Sequence, residues 1–370
     1  MNTIAQTAND AGPASEDDAA RAQKEARQAK LHAGINKVAS TLDVIGLSWL
    51  VPILKMAAGD SIQAQMKDLW RLAGVPLLAI FIFLVAWGRL APTVETSLGA
   101  IPGPAQVWEQ TGVLWEDHKA ERGKETAFYE RQEKRNAKKL ERNPNAETKI
   151  RPYTGKPTYL DQIVTSLQTV FMGFLIASLI AIPLGVACGL SPTVNAAFNP
   201  LIQIFKPVSP LAWLPIVTMV VSALYVSDDP FFEKSFINSA LTVTLCSLWP
   251  TLINTALGVS SIDKDLMNVG RVLQLNWFNS LIKLVLPSAL PLIFTGLRLS
   301  LGVGWMVLIA AEMLAQNPGL GKFVWDEFQN GSSESLARIM VAVFTIGLIG
   351  FLLDRIMLTL QAAFSFSSQR

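Results

Sequence analysis

Three side chains at seven-residue steps, inside a long apolar stretch, are the first candidates for chemistry in this sequence. Arg298, Trp305 and Glu312 fall two helical turns apart, so that all three lie on about one face of a helix. A charge placed deep in an apolar helix is costly and usually faces a bundle interior or a water-filled path. A guanidinium there offers paired donors to a planar oxyanion. The pattern predicts a position on an anion path or a structural lock.

Both interpretations of Arg298 stay open. It offers donors to an anion on a path, or it fixes packing by binding carbonyls or an acid on another helix. Packing is slightly favoured, because a tight fixed cation in a pore would hold the anion back. Glu312 stands near the end of the same stretch, where it caps the bundle or belongs to the path. The two residues are about 21 Å apart along a helix, so we expect no direct pair between them.

A proline-rich stretch offers a candidate gate. KPVSPLAWLP contains Pro207, Pro210 and Pro215, which break or kink any helix that holds them. Irregular backbone at membrane depth is buried in protein or lines a cavity. Ser209 and Trp213 are therefore candidate gate residues.

The apolar segment Phe236–Val259 carries several polar side chains. Hydrogen bonds between helices are their commoner role, and a place on the path is the alternative. These side chains are Asn238, Thr242, Thr244, Asn254 and Thr255.

No catalytic, metal-binding or nucleotide-binding residues are predicted. Cys188 and Cys246 both lie in apolar segments and resemble small hydrophobic residues more than a disulfide or a metal site. The text GLGK (319–322) fails as a phosphate-binding loop, because Asn317 and Pro318 precede it and Phe323 follows it. We expect a chain that is not an enzyme and holds no cofactor, and its net charge of +2 gives no indication of nucleic-acid binding.

The distribution of charge predicts the class of protein. Charged residues make up 16% of the 370 residues, against roughly a quarter in soluble domains. No charge occurs between Asp161 and Lys206, between Lys206 and Asp228, or between Lys234 and Asp263. The first gap alone could hold two spans of roughly 20 residues each. We predict an all-α polytopic membrane protein.

Six spans are expected. They are Leu72–Gly88, Ile163–Leu190, Pro200–Val221, Phe236–Val259, Ser288–Met313 and Arg338–Leu353. Val44–Leu54 is apolar but too short to cross and contains Pro52, so we expect an interfacial helix there. Ile101–Gln110 is expected to be a loop.

These spans divide the chain into five parts. Residues 1–71 are a cytoplasmic tail with the interfacial helix, 72–91 the first span, 92–161 a charged extramembrane insertion, 162–360 the core, and 361–370 a cytoplasmic tail. The insertion has twelve Lys/Arg against nine Asp/Glu between Glu109 and Lys156. Its charge pairs favour a solvated helix, and a docking surface for a partner is the alternative.

The segment Ser261–Pro287 is polar and amphipathic, yet it stands between two spans. Leu266, Val269, Val272 and Leu273 recur at helical spacing. With six spans and both termini inside, the segment is cytoplasmic and the insertion is periplasmic, and the cations of the segment agree with that side. A polar helix in this place predicts a contact site for a protein outside the membrane. Through this mechanical contact, that protein would move the helices of a gated path.

The segment resembles the cytoplasmic EAA loop of type I ABC importer permeases, which reads Glu-Ala-Ala, three residues, Gly, nine residues, Ile, one residue, Leu-Pro. Counting back from Leu286-Pro287 places Asn268-Val269-Gly270 at Glu-Ala-Ala, Gln274 at Gly and Leu284 at Ile. Four longer sequence segments are similar to the nitrate/sulfonate/taurine/bicarbonate branch of these permeases. Their residues most resemble those of the nitrate-type members. These segments are KPVSPLAWLPI (206–216), SLWPTLINTALGV (247–259), residues 286–314 and NPGLGKFVWD (317–326).

The resemblance covers about residues 70–360 and implies the rest of the expectation. It implies a five-helix core, a second permease copy, two cytoplasmic ATPase subunits that bind ATP and Mg, and a periplasmic anion-binding protein, in the bacterial inner membrane. It implies import of a small oxyanion, with nitrate or nitrite ahead of bicarbonate or a sulfonate such as taurine. The residues that it places at the ATPase contact are Asp265, Asn268, Val269, Gly270, Gln274, Leu286 and Pro287.

A self-contained secondary transporter is the alternative from another class. We find no internal repeat of hydropathy and no set of intramembrane acids for ion coupling, both of which are typical of such transporters. The ATP-driven importer is therefore the leading hypothesis.

Overall fold

The computed structural model describes residues 34–36, 38–39, 42, 46–96, 99–143, 147–148, 150–226, 232–332 and 334–367. The chain divides into two compact units, residues 1–83 and 84–370. Most of the expected N-terminal tail, residues 227–231 and the last three residues lie outside the described residues.

The first unit consists of helices joined by tight turns. In chain order they are α1 (Leu50–Ala57), α2 (Ile62–Leu69), a π turn (Trp70–Gly74) and the start of α3 (Val75–Leu90). The helical run Ile62–Thr93 is long and apolar enough to cross a membrane, which agrees with the first expected span.

The expected interfacial helix over Val44–Leu54 has the wrong bounds. Helix α1 begins at Leu50 and continues past Lys55 to Ala57. Pro52 falls in its first turn, where no intrahelical partner is required of the missing N–H. Proline therefore marks the start of this helix rather than its interior.

The second unit contains a small hairpin and the remaining helices. The strands are β1 (Glu95–Thr96) and β2 (Gly99–Ala100), with Glu95 opposite Ala100. The helices are α4 (Pro104–Arg142), α5 (Tyr159–Leu190), α6 (Pro192–Phe205), α7 (Pro210–Leu224), α8 (Lys234–Ser260), α9 (Lys264–Val272), α10 (Trp277–Ser280), a π turn (Leu281–Val285), α11 (Leu286–Ala315), α12 (Leu320–Asn330) and α13 (Ser335–Ser367).

Within the described residues, five helical runs could cross a membrane, and the bent pair α6 and α7 would make six. With the bent pair counted as one span, the number equals the six expected. The helices extend beyond the expected bounds at several ends, most of all α13, which continues to Ser367. Side-chain hydropathy limits a span, whereas the backbone hydrogen bonds of a helix continue into the aqueous flank.

Helices α5, α8 and α11 form the centre of the second unit because small residues let their backbones approach. A Cβ on Gly173 would meet the Ala240 carbonyl, and one on Gly185 would meet the Leu252 carbonyl, so α5 and α8 run parallel. Gly296 lies against Pro250 in the same way, and α11 runs antiparallel to α8. Small residues at such contacts are typical of helix packing in membranes.

The order of these contacts defines two ends of the second unit. We call one of them the coupling end, after the contact that the resemblance implies for Ser261–Pro287; it carries α9, together with the last turns of α5 and α8. The opposite end carries α12 and the first turns of α5 and α13. Val259, Val285 and Ala289 pack at the coupling end, and Tyr159, Leu320 and Phe323 pack at the opposite end.

The expected loop over Ile101–Gln110 is wrong from Pro104 onward, because α4 begins there. Proline is favoured at the first helical position, where its fixed φ suits the helix and no N–H is needed. The Gly103 N–H donates to Oε1 of Gln106 at 2.9 Å, which closes the first turn.

The charged insertion is helical, as expected, and is anchored at the opposite end of the second unit. Arg122 Nη2 lies 2.9 Å from Asp161 Oδ2 at the start of α5, and Arg338 Nε donates to Gln110 Oε1 at 3.3 Å. The returning chain packs on α4, where Tyr153 Oη donates to Glu121 Oε1 at 2.6 Å. This hydrogen bond lowers the pKa of Glu121 and raises that of Tyr153.

Candidate functional site

The segment Ser261–Pro287 is not one continuous helix. The expectation of a single polar helix there is therefore wrong. Helix α9 ends at Val272, and a new helical run begins at Trp277 and leads through a π turn into α11. Gln274 between them has φ of 50°. The apolar spacing predicts which residues pack, but it does not detect a single left-handed residue.

The break is a Schellman motif. The Leu275 N–H donates to the Gly270 carbonyl at 3.1 Å, and the Gln274 N–H donates to the Arg271 carbonyl at 3.0 Å. This pairing satisfies carbonyls that the helix end would leave free, and glycine is the residue usually found at the left-handed position. Gln274 is also the position at which the EAA loop has Gly, so the turn accounts for that preference physically.

Replacing Gln274 with glycine is expected to stabilise the protein by about 0.5–1 kcal/mol, because glycine adopts positive φ without steric cost. Thermal unfolding of the purified protein measures this. The matched control is Gln203→Gly inside α6, which should destabilise by about 1 kcal/mol. A lower melting temperature for Gln274→Gly would contradict the assignment of the turn.

The segment Ser261–Pro287, which we call the coupling segment, has one packed side and one exposed side. Gly270 is buried, and a Cβ on it would lie 2.6 Å from Leu284 Cδ1. The opposite side exposes a patch of large apolar side chains: Val269, Val272, Leu273, Trp277 and Phe278. We call this set the coupling patch. Its exposed area at one end of the helix bundle suits contact with another protein.

The remaining residues expected at the ATPase contact lie in or beside this segment. The Asp265 N–H donates to Asp263 Oδ1 at 2.9 Å, which caps α9. Asn268 Oδ1 accepts from Arg271 Nη1 at 3.1 Å. Leu286 and Pro287 open α11 directly after the π turn. Movement of the helical run that begins at Trp277 would therefore pass directly into a long membrane helix.

The three residues at seven-residue steps on α11 do not form one site. Arg298 is paired with Asp354 on α13 through both Nε and Nη2, the latter 3.0 Å from Oδ2. Trp305 Nε1 donates to the Ile346 carbonyl at 3.0 Å. These two contacts join α11 to α13. The carboxylate of Asp354 balances the charge of the guanidinium and fixes its orientation, which favours the packing interpretation.

Glu312 is fully buried at the opposite end and bonded to two elements. Ser166 Oγ donates to its carboxylate at 2.8 and 2.9 Å from Oε1 and Oε2, and the Gly321 N–H donates to Oε2 at 2.9 Å. The Leu320 N–H donates to Ser166 Oγ at 2.9 Å. A carboxylate at the first turn of a helix is favoured by the helix dipole. We call this arrangement the Glu312 knot.

Two glycines make the Glu312 knot possible. A Cβ on Gly319 would lie 2.2 Å from Glu312 Cδ, and one on Gly321 would lie 2.2 Å from the Ile309 carbonyl. Gly319 also has φ of 149°. The GLGK text that fails as a nucleotide loop is therefore explained by close packing around a buried acid.

The expected gate residues stand at a break between two helices. The axes of α6 and α7 differ by 102° across this break. Ser209 Oγ accepts from the Leu211 N–H at 3.3 Å and caps α7. The ring of Trp213 packs against Phe205 with centroids 5.7 Å apart. The prolines thus have different roles: Pro207 lies in the break, Pro210 starts α7, and Pro215 is accommodated inside it.

The polar residues of α8 bond mostly within their own helix. Thr242 Oγ1 donates to the Asn238 carbonyl at 2.8 Å, and Asn254 Nδ2 donates to the Pro250 carbonyl at 2.8 Å. Thr244 also reaches across the helix interface, to the Gly173 carbonyl at 3.1 Å. Asn238 Oδ1 and Thr255 Oγ1 are buried without a partner among the described residues.

Sequence reasoning missed several functional partners. Asp354 lies one residue past the end of the expected last span, and Ser166 has no distinguishing neighbour in sequence. No group of three or more His, Cys, Asp or Glu side chains in the described part of the chain is placed to hold a metal.

Residues 181–365 match the model of the family described as "Binding-protein-dependent transport system inner membrane component". The chain is 36% identical to the nitrate import permease protein NrtB of Synechococcus elongatus over 53% of this chain and 66% of that protein. It is 39% identical to the bicarbonate transport system permease protein CmpB of the same organism over 54% of this chain and 67% of that protein. It is 33% identical to the taurine transport system permease protein TauC of Escherichia coli over 53% of this chain and 66% of that protein.

The chain spans just under two thirds of the length of the nitrate import permeases that it matches, 66% and 64%. A solved structure of the MetNI methionine ABC transporter in inward facing conformations aligns with a TM-score of 0.44 and 16% identity, over 54% of this chain and 94% of that chain. With a family model over 185 residues, half of the chain, and an all-α fold with several membrane-spanning helices, the chain belongs to the family of binding-protein-dependent transport system inner membrane components.

Proposed function

We propose that this chain is the transmembrane subunit of an ATP-driven importer for a small oxyanion, with nitrate as the first candidate. The observation that carries the proposal is the coupling patch, an exposed apolar surface between two membrane helices with a direct helical connection into α11. A partner that closes on this surface could move α11 and the helices bonded to it.

ATP hydrolysis belongs to partner subunits in this proposal. The sequence contains no G-x-x-x-x-G-K-[ST] motif, which supports this division of labour. The proposed assembly has two permease copies, two ATPase subunits at the coupling end and a substrate-binding protein at the opposite end. The coupling end then faces the cytoplasm of a bacterial cell, across the inner membrane.

The choice of nitrate rests on the residues of the matched sequence segments and on relatives named for nitrate import. Relatives named for bicarbonate and taurine transport are of similar identity, so those anions are the competing substrates. The packed Arg298–Asp354 pair and the buried carboxylate of Glu312 are both explained by helix packing, which leaves no acid on α11 to couple transport to an ion gradient.

The test is reconstitution of the purified assembly in proteoliposomes, with nitrate, bicarbonate and taurine supplied in parallel. We expect ATP-dependent accumulation of nitrate that requires the binding protein. Accumulation of bicarbonate or taurine instead would reassign the substrate. Uptake driven by an ion gradient without ATP would contradict the proposal and favour a secondary transporter.

A further inference from the structure

The first turns of α4 cross the ends of three helical runs that are long and apolar enough to span a membrane. Each of the three partner residues lies within five residues of the end of its run, at Thr93, Ser335 or Tyr159. Helix α4 therefore runs across these ends over its first five turns. The contacts are Pro104 with Gly88 of α3, Gln110 with Arg338 of α13, and Arg122 with Asp161 of α5.

The charged residues of these three runs mark a membrane surface at the same level. Arg89, Asp161 and Arg338 each border a long uncharged stretch of their own run. Charged side chains are costly inside the hydrocarbon layer, so the layer ends at this border. Since α4 contacts all three runs at or beside these residues, its residues 104–122 lie along the membrane surface.

Helix α4 changes in composition within this part. Residues 104–115 carry one charge, Glu109, whereas more than half of residues 116–142 are charged. A helix that is surrounded by water is typically polar on its exposed face throughout its length. The section with few charges is the section that crosses the ends of the three runs, which agrees with a position at the membrane surface.

Two tryptophans of this section lie on one face of α4. Trp108 and Trp115 are two turns apart, and they are 80% and 52% exposed. Lys119 follows on the same face, with Nζ 5.8 Å from the Trp115 ring centroid, and it pairs with Glu116 at 2.9 Å. Asp117 is exposed on the opposite side of the helix. Tryptophan and long cationic side chains are both typical of the headgroup level of a bilayer.

A groove between α4 and α5 opens beside the two tryptophans. On α5 it continues from Leu160 to Val164 and Phe171, which are exposed and follow at helical spacing. This apolar strip runs from the charged border into the uncharged part of α5, so it has the direction and chemistry of a lipid acyl chain. The groove has a volume of about 310 Å³ and is lined by Trp108, Thr111, Gly112, Leu114, Trp115, Tyr159 and Leu160.

We propose that residues 104–119 of α4 form an interfacial helix and that the groove between α4 and α5 holds the acyl chain of a membrane lipid. Trp108 and Trp115 then lie at the headgroup level, and residues 120–142 extend into water. A helix of this kind buries its apolar face about 5–10 Å into the boundary between headgroups and acyl chains. A protein partner in water is disfavoured, because the groove leads toward the uncharged part of α5. The proposal goes beyond the import function and does not depend on it.

The first test measures the surroundings of single nitroxide labels on the full-length chain, purified with the subunits it binds and placed in proteoliposomes. The labels are attached at Trp108→Cys, Trp115→Cys and the matched control Asp117→Cys, with Cys188→Ala and Cys246→Ala as the common background. Collision rates are measured with oxygen, which enters hydrocarbon, and with a hydrated nickel complex. The ratio of oxygen to nickel collisions should be about tenfold higher at the two tryptophan positions than at Asp117, because a hydrated polar complex loses at least that factor on entering hydrocarbon.

Two results would overturn the proposal. Equal ratios at all three positions would show that the groove opens to water. Exclusion of both reagents at Trp108 and Trp115 would show that a protein covers the groove, either a second copy of this chain or another subunit.

The second test needs no substitution, so misfolding of a variant cannot account for its result. The unaltered protein is placed in vesicles that contain a phospholipid with a photoreactive group in its acyl chain, and the cross-linked peptides are identified after illumination. We expect cross-links on residues 104–119 and on α5 near Val164, and none on residues 120–142 of the same helix. Cross-links on the spans with none on residues 104–119 would contradict the proposal. Nitrate uptake is not measured in either test, so failure of the import function would leave both results unaffected.

Discussion

Glu312→Ala is expected to destabilise the protein by about 3–5 kcal/mol, because it leaves the Ser166 hydroxyl and the Gly321 N–H buried without their acceptor. The loss should appear as a lower temperature at which the detergent-solubilised protein aggregates, measured by size-exclusion chromatography after heating.

Glu312→Gln separates the hydrogen bonds from the charge. Its amide oxygen can still accept from the Gly321 N–H, so we expect a smaller cost, about 1–2 kcal/mol. Gly319→Ala should resemble Glu312→Ala, since its Cβ would lie 2.2 Å from the Glu312 side chain. If Glu312→Ala were as stable as the unaltered protein, the Glu312 knot would not be holding α12 to α5 and α11.

Breaking the pair between Arg298 and Asp354 should have an effect of similar size. Exposed ion pairs contribute about 0–1 kcal/mol and removal of one partner from a buried pair costs about 3–5 kcal/mol. The two side chains are 39% and 38% exposed in this single chain, but within a membrane that exposure is not to bulk water. We expect Arg298→Gln and Asp354→Asn each to destabilise by about 2–4 kcal/mol.

A double-mutant cycle isolates the pair from other effects. The combined variant should be less destabilised than the sum of the two single variants, because the second substitution removes a charge that the first left unpaired. Arg355→Gln combined with Asp354→Asn is the control and should be additive, since Arg355 packs on Phe351 instead. If the two changes in the free energy of unfolding were additive and Arg298→Gln also changed the anion preference, the interpretation of Arg298 as part of the anion path would be favoured.

The spans were predictable because they contain few charged residues or none. The uncharged gap after Asp161 indicated α5, and the stretch from Lys234 to Asp263 indicated α8 with bounds within a few residues. Hydropathy acts on whole segments, so it tolerates the prolines inside α5, α8 and α11. The same signal could not place the start of α4, because Pro104 is typical both of loops and of a first helical turn.

The contacts that define the candidate sites were less predictable, since they join residues far apart in sequence. Arg298 and Asp354 are 56 residues apart, and Ser166 and Glu312 are 146 apart. Seven-residue spacing placed Arg298, Trp305 and Glu312 on one face of α11, but the first two have partners on α13 and Glu312 has its partners on α5 and α12. The spacing of charges within one helix carries no information about which helix packs against it.

The turn at Gln274 illustrates a different limit. Apolar periodicity continued through it, because Leu273 and Leu275 suit a helix as well as a turn. The resemblance to the EAA loop gave the one useful signal, a position where glycine is usual. A positive φ explains that preference, and it divides the expected single helix into α9 and the run that begins at Trp277.

The most direct test of force transfer through the coupling segment is ATP-driven uptake by assemblies that carry Val272→Glu and Leu273→Glu together. These side chains are 81% and 63% exposed, so the substitutions leave the fold of the permease intact while placing charge in the coupling patch. We predict loss of ATPase binding in co-purification and uptake reduced at least about a hundredfold, because unpaired charges in an apolar contact cost several kcal/mol. Full binding of the ATPase and uptake at the unaltered rate would contradict the account.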